Sequence, residues 1–146
     1  MFSREESKRI KKEFWVTFGK QYPMKWTLYN TKIKDFSFKF IAERKKAGVT
    51  LDIESSDETQ RALLFEQMLS LKKILETAYL SDIVFYEHYV LENGKKISRI
   101  CVDYPQKFSV FNQSLWEECY LFLNLTMLQF ESFWEDYQDY IKQAVI

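Results

Sequence analysis

The segment from Lys34 to Leu80 constrains the fold more than any other part of this 146-residue chain. Two runs in it are apolar at every second residue, Phe36–Phe38–Phe40 and Val49–Leu51–Ile53, and the charged segment 43–48 lies between them. A period of two is the spacing of a strand with one buried face. Because the two runs are joined by a short polar reversal, they predict an antiparallel hairpin.

Helix signals flank this hairpin on both sides. Ser3 and Glu6 form a capping-box pattern at the start of a first helix, and Gly19 is expected at its end. A second helix is predicted from about Asp57 to Tyr79, with Asp57 as its cap. Residues 83–145 then repeat the plan of a hairpin followed by a helix. Asn93–Gly94 predicts a type I′ turn in this second hairpin.

Together these elements predict an α+β fold in the order helix, hairpin, helix, hairpin, helix. The sheet is antiparallel, with four to five strands and with the helices mainly on one face; residues 108–111 are the candidate fifth strand. A length of 146 residues suits one domain, here residues 1–146. With 3 Gly and 2 Pro, long flexible linkers are not expected.

The last helix carries an apolar stripe with alternating steps of four and three residues. Its members are Trp116, Tyr120, Leu123, Met127, Phe130, Trp134, Tyr137 and Ile141. At ~1.5 Å per residue this helix is roughly 40 Å long, whereas a five-residue strand spans only ~17–20 Å. Part of the stripe is therefore expected to pack on the first helix or on a second copy of the chain, and the second alternative predicts a homo-oligomer.

The expected location is the cytoplasm. The first residues lack the apolar run of a signal peptide, and no stretch approaches the ~18 apolar residues of a membrane span. Cys101 and Cys119 stand among apolar neighbours without a CxxC spacing, which predicts reduced thiols in the core.

Charge is distributed unevenly although the net charge is zero. Residues 1–50 hold 13 Lys/Arg and 5 Asp/Glu, whereas residues 51–146 hold 8 and 16. Three interpretations stay open: the charges interleave in the fold, the basic half meets an anionic partner, or the two poles pair between copies.

A basic cluster on the first strand and its turn is the candidate binding site for a polyanion. Its members are Lys32, Lys34, Lys39, Arg44, Lys45 and Lys46. The predicted first helix adds a second basic group, Lys8, Arg9, Lys11 and Lys12. Basic residues interleaved with aromatic ones can hold a nucleic acid through phosphate contacts and stacking.

Two acidic patterns are candidates for metal-dependent cleavage. Glu43 and Lys45 form a Glu-x-Lys pair, preceded by Asp35, and Asp52 and Glu54 place two carboxylates on one strand face. The first set falls on one strand and its turn, and the second lacks the lysine. Solvated strand and turn charges are therefore the favoured interpretation.

No cofactor or metal site is predicted. His88 is the single histidine and is expected to be structural. The three glycines cannot form a phosphate-binding loop of either common type.

Several short motifs occur in the order found in a bacterial family, domain of unknown function 4268. They are Phe14–Trp15, Phe18–Gly19, Tyr22–Pro23, Lys25–Trp26, residues 29–31, residues 36–38 and residues 90–95. The chain resembles that family over nearly its whole length. The resemblance implies either a stand-alone protein or a C-terminal module of longer proteins, some of which begin with a part that resembles a nuclease or restriction-linked domain. It therefore implies a DNA-related role and supplies no catalytic residues.

Three functional hypotheses follow. The leading one is a non-enzymatic cytosolic binding or assembly module. The alternative is a nucleic-acid-binding accessory protein linked to restriction or nuclease systems. A degenerate metal-dependent nuclease is the third.

Overall fold

The computed structural model describes residues 2–145; Met1 and Ile146, the two ends of the predicted domain, lie outside the described residues. The elements are α1 (Arg4–Gln21), β1 (Phe36–Ala42), β2 (Ala47–Ile53), α2 (Glu58–Leu69), α3 (Lys72–Ala78), β3 (Val84–Val90), β4 (Lys96–Asp103) and α4 (Trp116–Lys142). Short 3-10 turns, Gln113–Leu115 and Gln143–Val145, flank α4. The predicted order is confirmed, except that the second helix is divided into two.

The sheet consists of two hairpins joined through their inner strands. Its strand order is β1-β2-β4-β3, and every neighbouring pair is antiparallel. Leu51 pairs with Phe38 on one side and with Ile100 on the other. The candidate fifth strand at 108–111 does not form; Val110 makes one backbone hydrogen bond to Glu43, and the chain then turns towards α4.

One face of the sheet holds the core, and the helices pack on it. Phe36 and Phe38 are 1% and 2% exposed. The Trp134 ring of α4 lies 5.5 Å from the Phe36 ring, and Phe65 of α2 lies 6.1 Å from Phe85. The alternating runs therefore face the core, as their period predicts.

The apolar stripe of α4 is buried against its own chain. Its first half packs on α1, where the Phe14 and Trp116 rings lie 5.2 Å apart and the Tyr120 hydroxyl donates to the Phe14 carbonyl at 2.7 Å. Further along, Phe133 meets Tyr79, the residue after α3, at 5.4 Å. The first helix is thus the neighbour of α4. The self-association prediction stays untested, but this stripe no longer motivates it.

One predicted helix is interrupted, and the predicted end of another is wrong. The helix expected from Asp57 to Tyr79 breaks between Leu69 and Lys72. At the break the Ser70 hydroxyl donates to the Gln67 carbonyl at 2.6 Å, a bond that competes with the helical pattern, and lies 2.6 Å from the Tyr140 hydroxyl of α4. Gly19 does not end α1, which continues to Gln21. The caps at Ser3 and Asp57 are confirmed by their hydrogen bonds.

The turn of the second hairpin is also not the predicted type I′. That type needs positive φ at both central residues, whereas only Gly94 (φ 86°) has it in this loop. The Gly94 amide donates to the Leu91 carbonyl and the Leu91 amide to the Lys95 carbonyl, at 2.8 and 2.9 Å. These bonds define a three-residue loop in which glycine takes the left-handed position.

The segment between α1 and β1 is irregular and is fastened to α4. The amide and the hydroxyl of Thr27 each donate to the Glu131 carboxylate at 2.6 Å. The Phe38 amide donates to the Leu28 carbonyl at 3.0 Å, so this segment covers part of the outer edge of β1. Leu28, Lys32 and Asp35 adopt left-handed backbone conformations, with φ of 47°, 68° and 59°.

Candidate binding face

The second face of the sheet, which we call the open face, carries no packed helix within residues 2–145. An ion pair between the two inner strands lies at its centre. Arg99 on β4 faces Asp52 on β2, with Nε–Oδ1 at 2.8 Å and Nη2–Oδ2 at 2.9 Å. Lys39 Nζ lies 3.5 Å from Asp52 and 2.9 Å from Glu54. The face therefore has a polar network where the opposite face has the apolar core.

The Arg99–Asp52 pair of this network is buried, contrary to the interpretation of Asp52 as a solvated charge, whereas Glu54 is only partly buried. Asp52 is 0% exposed and Arg99 is 7% exposed. Burial acts to lower the pKa of Arg99, but the hydrogen bonds and charge of Asp52 outweigh it and the net shift of the pKa is upward. Arg99 thus stays charged, and the Asp52 carboxylate accepts two hydrogen bonds from it.

The role of Arg99 was not predicted, although the sequence places Arg99 and Asp52 at outward positions of two predicted strands. Opposite charges that face each other across strands are favourable. The partner could not be chosen, however, because the sequence does not state that β2 pairs with β4.

An irregularity in β3 brings two tyrosines over the ion pair. Tyr86 pairs with Arg99 and Tyr89 pairs with Ile97, so three steps along β3 match two along β4. Residues three apart in a regular strand point to opposite faces. The extra residue of this bulge puts both rings on the same side, 5.6 Å apart.

His88 lies within this bulge, and its side chain is 80% exposed. Its predicted position in mid-strand is confirmed, since β3 includes it, whereas so exposed a side chain does not support the predicted structural role. The bulge interrupts the alternation of β3 and leaves the imidazole in solvent beside Glu87, 3.6 Å away.

The tyrosines and a lysine form a cover that we call the roof, consisting of Tyr86, Tyr89 and Lys46. The Tyr89 ring lies over Arg99, with 4.4 Å from Cζ to the ring centroid. Lys46 Nζ donates to the Tyr89 hydroxyl at 3.2 Å. Buried beneath the roof are Ile97 and Cys101, which are separate from the main core.

Cys101 is not poised for thiol chemistry. Burial, together with the charge of Asp103, raises the pKa of Cys101 to about 11. The thiolate is the reactive form, and such a shift keeps the group protonated near neutral pH. Cys101 and Cys119 are both buried and free, as predicted.

The two residue sets of the nuclease hypothesis lie apart from each other, although Asp52 and Glu54 of the second set both contact Lys39. Glu43 and Lys45 follow the end of β1, whereas Asp52 faces Ser37 near its start. The five intervening residue pairs span ~17 Å at ~3.4 Å per residue. Within residues 2–145, no three His, Cys, Asp or Glu side chains form a group that could share a metal ion.

The predicted polyanion contacts lie on the first hairpin and on the segment just before it, and they form what we call the basic strip. Its members are Lys32, Lys34, Lys39, Arg44, Lys45 and Lys46. All are exposed except Lys39, which is partly buried. Lys39 is engaged by Glu54 and Asp52, and Lys46 Nζ lies 3.9 Å from Glu43. Within the described residues, no salt bridge joins the other four to a carboxylate.

The basic group of α1 meets one end of this strip. Lys11 Nζ lies 5.9 Å and Arg44 Cζ lies 5.2 Å from the centroid of the Phe111 ring. Both cations are thus held by one aromatic ring. Sequence reasoning treated the two groups as separate because Phe111 is far from both along the chain.

A single antiparallel sheet with one helix-covered face and one open polar face defines a protein of the α+β class. Within that class, the chain belongs to the family described as Domain of unknown function (DUF4268), whose sequence profile matches residues 10–138. The resemblance is thereby confirmed. Comparison with curated proteins and comparison with solved structures each gave no match. In the part of the chain described, no helix combines the length and apolar character needed to cross a membrane.

Proposed function

We propose that this chain is a non-enzymatic binding module that contacts nucleic acid through the basic strip and the adjoining residues of α1. The observation that carries the proposal is the meeting of Lys11 and Arg44 at Phe111. It joins two cationic groups from separate elements into one continuous surface. Phosphate contacts by clustered Lys and Arg are the main source of affinity for nucleic acids.

The dimensions of the surface suit several phosphates. β1 contains seven residues and separates Lys34 from Arg44. At ~3.4 Å per residue this is roughly 24 Å, and successive phosphates of one DNA strand follow at ~3.4 Å along the helix axis. A bound strand could therefore meet both ends of the strip at once.

The proposal includes a cytoplasmic location, which the two free buried thiols support. A link to restriction or nuclease systems is part of the same proposal and rests on the family resemblance.

Binding is tested by fluorescence anisotropy with labelled duplex DNA, single-stranded DNA and RNA over a range of salt. The informative variant is Lys34→Glu with Lys45→Glu, since neither side chain makes a salt bridge within residues 2–145. We expect at least a tenfold loss of affinity, and a slope of log K against log salt that is shallower by about one to two, because two phosphate contacts are removed.

Lys73→Glu is the matched control, since Lys73 is an exposed lysine on α3, outside the basic strip. It should leave binding close to that of the unaltered chain. Absence of binding at about 50 mM salt, or an equal loss in the control, would count against the proposal.

A further inference from the structure

A small cavity lies under the roof, between the inner strands and β3. Its volume is about 90 Å³. At ~30 Å³ per water molecule it has room for roughly three waters. It can therefore admit a single small polar group such as a phosphate or a carboxylate, but not a nucleobase. Its polar lining consists of Lys46, Thr50, Tyr86, Tyr89, Arg99, Cys101 and Asp103.

One buried hydroxyl in the lining has no partner. Thr50 is 4% exposed, and its Oγ1 makes no hydrogen bond within residues 2–145. Thr50 belongs to the open face because it pairs with Lys39 and Cys101 between the strand positions of the core face. A buried hydroxyl without a partner is unfavourable, so a ligand atom in the cavity would supply what the protein lacks.

The remaining polar groups are mostly donors. A guanidinium has five N–H groups, and Asp52 uses only two of those of Arg99. The Tyr89 hydroxyl accepts from Lys46, which leaves its own proton free to be donated elsewhere. Lys46 and Arg99 have no acceptor atoms in their charged groups. Such a set matches an oxyanion.

The charges support an anion at one end of the cavity only. Arg99 is balanced by Asp52, and Lys46 Nζ lies 3.9 Å from Glu43, whose carboxylate is half-exposed. Asp103 lines the cavity at the Gly48 end, where its carboxylate disfavours an anion. The favourable position is therefore beneath Lys46 and Tyr89, next to Arg99 and Thr50.

A larger cavity adjoins this position. It has a volume of about 330 Å³ and shares Lys46, Tyr89 and Arg99 with the small one. Its other lining residues lie at the two hairpin turns and at the adjoining end of β3, and they include Glu43, Glu92 and Asn93. Because these side chains carry acceptor oxygens, the larger space suits a hydroxyl-bearing group attached to the anion.

We propose that the cavity beneath the roof is a binding site for a phosphate group, held by Lys46, Arg99, Thr50 and Tyr89. The site shares Lys46 with the basic strip but is otherwise separate from it. It does not depend on the proposed binding of long nucleic acids, and the two can fail independently. The phosphate could be free, could belong to a nucleotide, or could be the terminal group of a nucleic acid.

Isothermal titration calorimetry with inorganic phosphate tests the site in the full chain. Lys46→Gln is expected to weaken binding about tenfold and Thr50→Val about fivefold, the effects of losing one charged and one neutral hydrogen bond. Asp103→Asn is expected to tighten binding severalfold because it removes a repulsive charge. Lys45→Gln is the matched control; it changes the adjacent exposed lysine, which does not line the cavity, and phosphate binding should be unchanged.

The same titration with a nucleoside 5′-monophosphate, and with a 5′-phosphorylated oligonucleotide beside its 5′-hydroxyl form, separates the three sources of phosphate. Tighter binding of the monophosphate than of phosphate alone indicates that the ligand extends into the larger cavity. Preference for the phosphorylated oligonucleotide indicates a nucleic-acid terminus.

Three results would overturn the proposal. One is the absence of any phosphate binding. Another is equal binding by the unaltered chain and the Lys46→Gln and Thr50→Val variants. The last is the reverse pattern, in which Lys46→Gln strengthens and Asp103→Asn weakens phosphate binding. That pattern is the opposite of what an anion site formed by these residues requires. None of these three results bears on the separate prediction that Lys34→Glu with Lys45→Glu weakens the binding of long DNA.

Discussion

Arg99 and Asp52 form a two-bond ion pair, at 2.8 and 2.9 Å, on the sheet face that no described helix covers. We expect Asp52→Asn to lower the free energy of unfolding by about 3–5 kcal/mol, because it leaves a buried guanidinium without its counter-charge. Asp52→Leu combined with Arg99→Met should cost much less, since no buried charge remains. Urea denaturation of the single and double variants measures this difference.

The effect of Asp52→Asn on the free energy of unfolding should be compared with that of Glu54→Gln, which breaks a more exposed ion pair. Glu54 is joined to Lys39, whose side chain is 38% exposed. An ion pair of this kind contributes about 0–1 kcal/mol. If Glu54→Gln were as harmful as Asp52→Asn, burial would not be the source of the effect.

Gly48 and Gly19 should respond to alanine in opposite ways. A Cβ at Gly48 would lie 2.7 Å from the Val102 carbonyl oxygen on β4, so Gly48→Ala should cost about 1–3 kcal/mol through the clash. Gly19 is inside α1 with nothing within 4 Å of an added Cβ. Gly19→Ala should therefore stabilise the protein by about 0.5–1 kcal/mol. Thermal and urea unfolding report both signs.

Glu131 should be essential for holding the segment between α1 and β1. Its carboxylate accepts two hydrogen bonds from Thr27. We expect Glu131→Ala to cost about 2–3 kcal/mol and to speed proteolysis in residues 22–35, because hydrogen bonds to charged groups are among the stronger ones. Glu135→Ala, an exposed change one turn further along α4, is the control and should alter neither property.

Lys32 and Lys34 are two exposed lysines of the same segment that should respond to glycine in opposite ways. Lys32 has a left-handed backbone, with φ of 68°, and Lys34 does not. Glycine relieves that strain, so Lys32→Gly should raise the free energy of unfolding by up to about 1 kcal/mol. Lys34→Gly should lower it by about 0.5–1 kcal/mol, since glycine adds conformational freedom to the unfolded chain. A loss of stability in both variants would contradict the role of the backbone strain.

Stability should decline at alkaline pH. Burial raises the pKa of Cys101 to about 11 and the pKa of Cys119 to about 12, from an ordinary value of 9.0. A raised pKa in the folded state contributes stability that is complete below about pH 9 and is lost as the pH rises towards the folded value.

Between about pH 9 and the raised pKa of each thiol, the free energy of unfolding should fall by up to about 1.4 kcal/mol per pH unit and per thiol. Cys119→Ala should therefore give a shallower decline between about pH 9 and pH 11 than the unaltered chain, whatever its stability at neutral pH. Identical slopes in the two proteins would exclude Cys119 as a cause of the decline.

The alternating strands and the helix caps could be predicted from sequence because each depends on neighbours in the chain. Phe36, Phe38, Val49 and Leu51 all face the core, as their period requires. The break at Ser70 could not be predicted in the same way, since it involves a hydrogen bond with Tyr140 from the other end of the chain.

The candidate sites were harder to predict because they depend on the order of the strands. The position of Lys46 at a basic turn was visible in the sequence. Its contact with Tyr89 was not, because the two residues come from different hairpins. The joining of α1 to the basic strip depends in turn on Phe111, in the irregular segment before α4.

The bulge in β3 makes strand length, as well as residue type, a determinant of the open face. A regular strand would place Tyr86 and Tyr89, which are three residues apart, on opposite faces, and one ring would leave the roof. Deleting Glu87 or His88 would bring the two tyrosines to a spacing of two, which keeps both rings on the open face without a bulge. The spacing of three therefore works only together with the bulge, and a one-residue deletion should leave Arg99 covered.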